Sequence, residues 1–351
     1  MKKIYQDITF YLIVFIVSYF LYIYPFEILN ELLFKETTSR QTSLYYTFLV
    51  SVLVIFYFRS RNTFLPLKLF VYEGMGVGFI SFWIINIALI LNMMNIYDSY
   101  SLGILSLTLI LLISLYSIVN SRIIKLKNIK LKSKKISKKY NFIFISDIHL
   151  GTNSIKHLHN ILDKVKELKY EFILIGGDLI DSSSFNFEEL EIFKSINKPI
   201  YFVTGNHEYY LSNFEKNISK LNNFNIKILD NEKIKYEEIN IIGIDDKQTN
   251  DSKINIVKNL FESSKYNLIL VHKPTLWNSI QKNNDLMLSG HTHNGQIFPF
   301  NLFVKIQFKY KYGLFATKDS NLYVSSGSGC WGPRMRLGTS NEIVNIEIGP
   351  L

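Results

Sequence analysis

Apolar side chains fill the first third of the chain in four long runs that are almost free of charge. A helix needs about 20 residues to cross the roughly 30 Å hydrocarbon core of a bilayer. We therefore predict a four-helix transmembrane domain over residues 1–120, with spans near 8–26, 42–58, 70–92 and 99–120. Buried helices of a large soluble protein are the alternative, which the near absence of charge disfavours. The first run is interpreted as an anchor and not as a cleaved signal peptide, because no small-residue cleavage pattern follows it.

From residue 141 onward, short apolar runs alternate with amphipathic segments. Runs rich in β-branched and aromatic residues predict buried strands at 142–145, 172–175, 200–203, 268–271 and 286–288. Between the first two, residues 154–169 carry apolar positions at helical spacing. Strand and helix therefore alternate over residues 141–351, which indicates an α/β domain. Further strand-like runs at 239–244, 322–325 and 342–348 suffice for two packed sheets.

Charge changes this picture at one place. The chain has 39 basic and 29 acidic residues, a formal net charge of +10. Nine of the basic residues and no acid lie in residues 121–140, while residues 141–351 are charge-balanced. The excess is thus one basic segment, which we interpret as a juxtamembrane linker. A strand of the next domain over part of it is an alternative, and so is a second role in holding anionic lipid. It is not the basic face that a binder of nucleic-acid duplexes presents, so no such partner is expected.

Lysines and arginines beside the spans predict the orientation, since cytoplasmic loops carry an excess of them. With the N-terminus in the cytoplasm, one side receives 14 basic residues and the other receives two, Lys35 and Arg40. The fourteen are Lys2, Lys3, Arg59, Arg61, Lys68 and the nine of the basic segment. We therefore expect a multi-pass protein of the cell (inner) membrane, with both termini and the α/β domain in the cytoplasm.

Residues typical of metal and phosphate sites follow the predicted strands, at the point where each strand ends. Five of the seven histidines occur there. The motifs are Asp147-Ile148-His149, Gly177-Asp178, Gly205-Asn206-His207-Glu208, His272 and Gly290-His291-Thr292-His293. Open α/β sheets bind ligands at the carboxyl ends of their strands, so these side chains are expected to converge.

Imidazole, carboxylate and amide oxygen are ligands for borderline divalent ions such as Mn, Fe or Zn. The single cysteine, Cys330, excludes a disulfide framework and a thiolate-based zinc site. The candidate ligands exceed what one ion needs, so we predict two divalent metal ions (Mn, Fe or Zn) that share a carboxylate. Two ions roughly 3.5–4 Å apart clamp a phosphate and activate a bridging hydroxide for in-line attack.

The five motifs, in this order and spacing over about 150 residues, resemble the calcineurin-like metallophosphoesterase superfamily. Gly332–Gly338, followed by Asn341-Glu342-Ile343, is similar to its bacterial membrane-associated branch, some members of which carry transmembrane helices ahead of the catalytic domain. The resemblance implies a four-layer α/β/β/α metallophosphoesterase sandwich after the four helices. Asn294 departs from the glycine that this branch more often has at that position.

The resemblance also implies a role for each motif residue. One ion would be bound by Asp147, His149, Asp178 and His293, and the other by Asp178, Asn206, His272 and His291. Asp178 would bridge the ions as a catalytic residue. His207 would be no ligand, and would act on the phosphate as a general acid or as a stabiliser of developing charge.

Residues outside the ligand set have more than one interpretation. Arg334 and Arg336 are predicted to bind substrate, because a planar guanidinium suits phosphate; an ion pair that fixes the last strands is the alternative. Asp181 is interpreted mainly as a turn cap, and Glu208 equally as a cap or as a residue that orients His207. Aromatic and lysine residues in 297–315 favour a hairpin packed on its own domain over a surface that contacts anionic headgroups.

Together these features predict a membrane-bound dimetal phosphohydrolase that cleaves a phosphoric ester or pyrophosphate bond. Its partners would be the lipid bilayer and a phosphate-containing substrate. Anchoring favours a lipid-linked substrate, with a soluble nucleotide or a phosphoprotein as alternatives. A non-catalytic membrane sensor with the same fold is disfavoured because no motif ligand is missing. A small transporter is disfavoured because the spans carry no cluster of ionisable residues.

Overall fold

The computed structural model describes residues 2–60 and 64–351, and the chain divides into two units. The helical unit extends to Val119 and includes Gly332–Met335. The α/β unit comprises Asn120–Trp331 and Arg336–Leu351. Arg61, one of the residues from which the orientation is predicted, lies outside the described residues.

Long apolar helices account for the N-terminal third of the chain. They are α1 (Lys2–Ser18), a π-helical turn (Tyr19–Ile23), α2 (Tyr24–Phe34), α3 (Arg40–Arg59), α4 (Leu65–Met93) and α5 (Ser99–Asn120). Four stretches of the described chain are long and apolar enough to cross a membrane: Asp7–Phe34, Arg40–Arg59, Leu65–Met93 and Ser99–Asn120. The four predicted helices are therefore confirmed. The first is longer than predicted, and its π-helical turn precedes Pro25, which cannot donate a backbone hydrogen bond.

Close packing inside the helical unit depends on small residues of α4. The Tyr22 hydroxyl donates to the Val71 carbonyl at 2.5 Å. A Cβ on Gly78 would collide with the backbone of Leu21, so only glycine permits this approach. Small residues serve the same purpose in membrane helix pairs generally.

The α/β unit contains two six-stranded sheets. The strands are β1 (Ile124–Ser133), β2 (Tyr140–Ile145), β3 (Phe172–Ile175), β4 (Ile200–Phe202), β5 (Ile226–Ile228), β6 (Glu232–Tyr236), β7 (Ile239–Ile244), β8 (Tyr266–Val271), β9 (Leu286–Ser289), β10 (Gly313–Ala316), β11 (Asn321–Val324) and β12 (Asn341–Pro350). The helices are α6 (Ile155–Lys166), α7 (Phe214–Ser219), α8 (Asn250–Leu260), α9 (Trp277–Ile280) and α10 (Phe300–Gln307). The first sheet has the order β1-β12-β2-β3-β4-β5, and the second has the order β10-β11-β9-β8-β7-β6.

The two-residue period of the strands separates three apolar cores. On β2, Phe142 and Phe144 contribute to the core between the sheets, whereas Ile143 and Ile145 contribute to the core beneath α6. A third core joins the second sheet to α8 and α9, with Trp277 among its buried residues. Helices thus cover the outer face of each sheet, which confirms the predicted four-layer α/β/β/α sandwich.

The basic segment 121–140 is more than the linker that its charge suggested. Strand β1 lies within it and pairs in parallel with β12 at the edge of the first sheet. Its sequence alternates apolar residues with lysines, and Ile124 and Ile129 are buried while the lysines are exposed. Lysines on an edge strand prevent further strand pairing, so the charge that suggested a linker is typical of a protected edge.

Residues 297–315 do not form the expected hairpin. Helix α10 occupies Phe300–Gln307, and only the end of the segment, Gly313–Ala316, is a strand. That strand, β10, pairs antiparallel with β11. Pro299 precedes the helix, a position at which a fixed backbone angle and a missing donor are tolerated.

Candidate metal centre

Each motif lies in a loop directly after a strand, as the sequence predicts. The loops after β2, β3, β8 and β9 carry Asp147-Ile148-His149, Asp178, His272 and His291-Thr292-His293. Five of these residues have left-handed backbone, with φ of 53° at Asp147, 52° at His149, 52° at Asp178, 73° at His291 and 47° at His293. Non-glycine residues rarely adopt this conformation, and groups of them occur where function outweighs backbone strain.

The first cluster joins Asp147, His149 and His293, all of them buried. The two imidazoles face each other, with His149 Nε2 at 3.1 Å from His293 Nε2. His293 Nε2 also lies 3.6 Å from Asp147 Oδ1. Two ring nitrogens and a carboxylate oxygen thus point at one small volume, an arrangement that suits a shared cation.

The second cluster joins Asp178, His272 and His291. His272 Nε2 lies 3.1 Å from Asp178 Oδ2, and His291 Nδ1 lies 3.2 Å from His272 Nε2. The other ring nitrogen of His272 donates to the Gly176 carbonyl at 2.8 Å. That hydrogen bond fixes the ring orientation and leaves Nε2 as the coordinating atom, as is usual for histidine ligands.

Asp178 connects the two clusters, and Asn206 adds a donor atom beside it. Asp178 Oδ2 is 3.1 Å from His272 Nε2 in one cluster and 3.8 Å from His149 Nε2 in the other. Asn206 Oδ1 is buried and has no hydrogen-bond partner among the described residues. A buried acceptor without a donor is costly, and a cation would satisfy it. The residues present therefore fit divalent ions.

Burial and neighbouring charges shift the pKa values of the candidate ligands in opposite directions. Burial raises the pKa of Asp147 above its usual value. Burial opposes the ionisation of Asp178 as well, but neighbouring His272 outweighs burial and holds the pKa of Asp178 well below its usual value. Burial opposes the charge on His272, yet the carboxylate of Asp178 raises the pKa of that imidazole to about 10. Burial lowers the pKa of His291 to about 3, which leaves a neutral, coordinating imidazole.

His207 belongs to neither of these two clusters, but it lies with His149 and Asp181 in a third group of possible ligand atoms. Its backbone N–H donates to Asp178 Oδ1 at 2.9 Å, and its ring Nε2 lies 4.0 Å from Asp178 Oδ2. Burial lowers the pKa of the His207 imidazole to about 4. The exposed rings of Tyr210 and Trp331 flank it, with centroids at 5.5 Å and 5.7 Å. Neither aromatic residue belongs to a motif, so the sequence gives no signal for its place beside His207.

Comparison with known proteins assigns the family. The family model of calcineurin-like phosphoesterases matches residues 140–295, the range that contains every candidate ligand. A metallophosphoesterase of Campylobacter jejuni is 32% identical over 258 residues, which cover 70% of this chain and 69% of that protein. The chain belongs to the calcineurin-like phosphoesterase family. The resemblance that the motifs suggested is confirmed.

Other relatives extend the comparison, and one of them is described as a transmembrane protein. An uncharacterized metallophosphoesterase of Helicobacter pylori is 35% identical over 244 residues, or 64% of each chain. The chain thus spans less than two thirds of the length of that relative. A transmembrane protein with a metallophosphoesterase domain from Danio rerio is 28% identical over 282 residues, covering 71% of this chain and 63% of its own. Together with the four apolar helices, these likenesses indicate membrane association.

Asp181 lies next to His149 of the first cluster, on the side away from His293. Its carboxylate accepts hydrogen bonds from the backbone N–H of Thr152 at 2.9 Å and from the Thr152 hydroxyl at 2.5 Å. Asp181 Oδ2 also lies 3.4 Å from His149 Nδ1, the ring nitrogen that faces away from the cluster. The hydrogen bonds from Thr152 fit the turn cap that the sequence predicts. No hydrogen bond joins Asp181 to His149 Nδ1, so Asp181 is placed to act on that imidazole through its charge.

Glu208 does not orient the His207 ring. Its buried carboxylate accepts backbone hydrogen bonds from Asp178 at 3.0 Å, Ile180 at 3.0 Å and Gly205 at 2.8 Å. Burial and the charge of Asp178 raise the pKa of Glu208 to about 7. Glu208 thus joins the loop that carries Asp178 to the loop that carries Asn206, which only the tertiary structure reveals.

The prediction that Arg336 binds substrate needs correction. Its side chain is fully buried and donates at 2.6–2.8 Å to Asn341 Oδ1 and to the carbonyls of His293, Ser326 and Gly329. A planar guanidinium suits this work as well as it suits phosphate, and residue type alone does not distinguish the two roles. Arg336 holds the loop of His293 against the loop that follows β11.

Arg334 belongs to the helical unit. Its backbone N–H and its Nε donate to the Glu73 carboxylate of α4, at 3.0 Å and 2.7 Å. This ion pair is the kind of contact that the alternative interpretation expected, although its partner is on a helix and not on a strand. A role of Arg334 in substrate binding stays a prediction.

Proposed function

We propose that this phosphoesterase is a membrane-bound dimetal phosphohydrolase that cleaves a phosphoric ester or pyrophosphate bond. The observation that carries the proposal is the meeting of two donor clusters at Asp178. One ion would be held by Asp147, His149, Asp178 and His293, and the other by Asp178, Asn206, His272 and His291. Carboxylate, imidazole and amide donors suit Mn, Fe or Zn.

The protein would contribute binding and orientation, and His207 would act on the phosphate. When bound, two divalent ions would polarise the phosphate oxygens and supply a nucleophilic water at neutral pH. Asp181 would help to keep His149 in place. Glu208 would hold together the two loops that carry Asp178 and Asn206. His207 Nε2 lies 4.0 Å from Asp178 Oδ2. The imidazole would stabilise the charge that develops on the phosphate, or would act as a general acid once the negative charge of bound phosphate raises its pKa above about 4.

The membrane would place this chemistry at the cytoplasmic surface. Our proposal of a cytoplasmic α/β unit is based on the excess of lysine and arginine beside the spans, 14 residues against two. A substrate with a lipid-linked phosphate or pyrophosphate would be concentrated at that surface. Protease cleavage of the α/β unit from the outer face of intact cells would overturn the orientation.

A direct test compares purified full-length chains in the presence and absence of divalent metal. The wild type should hydrolyse a lipid-linked pyrophosphate, an aryl phosphodiester or both, and a chelator should abolish the reaction. Asp178→Asn should lose activity by orders of magnitude because both ions lose a ligand. Asp163→Asn, at an exposed position of α6, is the matched control and should retain it. Undiminished turnover by Asp178→Asn would reject the mechanism, and the ratio of rates on the two substrates tests the substrate class.

A further inference from the structure

Helix α10 presents apolar side chains to the outside of the α/β unit. None of its eight residues is buried, although five of them are apolar. Ile306 is 85% exposed and Leu302 is 54% exposed. They lie four positions apart, so they share one face of the helix. A helix in a soluble α/β domain normally turns such a face toward the core.

The other outer helices of the same unit follow the normal rule. Helix α6 buries Leu158, Ile161, Leu162 and Val165, and α8 buries Val257. Phe298, two residues before the helix, and Leu314, on β10, are also about half exposed. A helix face that exposes its apolar residues in this way is uncommon on proteins that contact only water.

Charge indicates what this surface contacts. Residues 297–318 contain four lysines, Lys305, Lys309, Lys311 and Lys318, and no acidic residue. Lys305 and Lys309 are exposed, one on α10 and one just after it. Apolar residues flanked by lysines are typical of helices that lie in the surface of a bilayer containing anionic lipid. Each such lysine contributes about 1 kcal/mol near an anionic surface.

The surface adjoins the candidate metal centre. Helix α10 follows the loop of His291 and His293 after a short turn, in which the Phe300 N–H donates to the Ile297 carbonyl at 2.8 Å. Beyond the helix, the Phe308 ring lies 5.3 Å from the His291 ring. The Thr292 hydroxyl donates to the Lys311 carbonyl at 2.5 Å. Movement or docking of α10 would therefore act directly on the loop that carries His291 and His293.

We infer that the exposed face of α10, formed by Leu302 and Ile306, inserts together with Phe298 just before the helix into the surface of a bilayer that contains anionic lipid. The same chain carries four helices apolar enough to span a membrane, so a bilayer is available to every copy of the α/β unit. Insertion buries apolar side chains at the level of the headgroups and pairs the lysines with lipid phosphates. If the proposed function holds, the metal centre beside α10 then meets phosphate esters of lipids and not those in bulk water.

The test measures lipid contact at α10 without reference to turnover. Full-length chain is placed in bilayer discs of phosphatidylglycerol that contain nitroxide-labelled lipid. Ile306→Cys is labelled with an environment-sensitive fluorophore, and Leu302→Cys serves as a second position. The natural Cys330 is only 1% exposed, so labelling of the wild-type chain gives the background. Lys198→Cys, at an exposed loop position of the same unit, is the matched control.

Labels at positions 306 and 302 should be blue-shifted and quenched severalfold more by nitroxide lipid than the label at position 198. Quenching should decrease when phosphatidylcholine replaces phosphatidylglycerol. Equal quenching at positions 306 and 198 would overturn the inference. A blue shift without lipid quenching would also overturn it, because a protein partner or a second copy would then cover the face. Since no activity is measured, failure here is distinguishable from failure of the proposed reaction.

Discussion

Glu208 offers a sharp test of how the site is held together, because one buried carboxylate joins two ligand loops. Its Oε2 accepts from the backbone N–H groups of Asp178 and Gly205, and its Oε1 accepts from that of Ile180. A Cβ on Gly205 would lie 2.7 Å from Asp178 N, so the two loops are already as close as backbone allows. Weakening this junction should loosen both loops.

The substitution Glu208→Gln changes one atom and permits an estimate. The amide oxygen of glutamine can still accept from Asp178 and Gly205, but its NH₂ group then faces the Ile180 N–H. A buried donor that loses its acceptor costs about 1–3 kcal/mol. If local opening of the loop becomes easier by that amount, amide exchange there should accelerate about 5- to 150-fold.

Hydrogen exchange measured by mass spectrometry reads out this local opening directly. Peptides that cover residues 176–181 and 203–208 should exchange faster in Glu208→Gln than in the wild type, while peptides from the helical unit should not change. Glu189→Gln is the control, since Glu189 is exposed and substitutions at such positions change stability by less than about 0.5 kcal/mol. Equal exchange in the two variants over these peptides would refute the role given to Glu208.

Three further predictions concern the neighbours of the clusters. Asp181→Asn should weaken metal binding about 10- to 100-fold, because the Asp181 carboxylate no longer faces His149. Metal titration measures this, and an affinity equal to that of the exposed control Asp163→Asn would contradict it. Arg336→Lys should lower the free energy of local opening around residues 326–341 by roughly 2–4 kcal/mol. The three N–H donors of a lysine ammonium sit on one atom and cannot reach the four fixed acceptors of Arg336. Unchanged hydrogen exchange over these residues would disprove this. His207→Ala should keep the metal content and lower kcat by about 10²–10⁴-fold; loss of metal in this variant would instead make His207 a ligand.

Sequence predicted the positions of the ligand-bearing loops because two local signals coincide there. A short β-branched run identifies the strand, and the polar residues directly after it must lie at the sheet edge. For Asp147, His149 and Asp178 this placement needs no knowledge of the tertiary fold. The four apolar helices were equally predictable, since length and hydropathy alone identify them.

Roles that depend on contacts between distant segments of the chain could not be predicted from the sequence. Nothing local distinguishes Glu208 as an acceptor for three backbone groups, or Arg336 as a fully buried donor. For residues 121–140 the charge favoured a linker over a strand, and only the pairing with β12 decides between them, because both patterns occupy the same residues. In residues 297–315, aromatic content predicted a packed hairpin, whereas the spacing of Leu302 and Ile306 is that of a helix face.

The metal dependence of turnover is the decisive measurement for a reaction that needs two ions at Asp178. Full-length protein is stripped of metal by a chelator, and hydrolysis of an aryl phosphodiester and of a lipid-linked pyrophosphate is followed while Mn²⁺ is added back. The account predicts no turnover in the stripped protein, recovery on addition of Mn²⁺ with about two ions bound per chain, and no recovery in Asp178→Asn. Turnover that persists in the stripped protein, or that Asp178→Asn recovers fully, would contradict a reaction that depends on two ions meeting at Asp178.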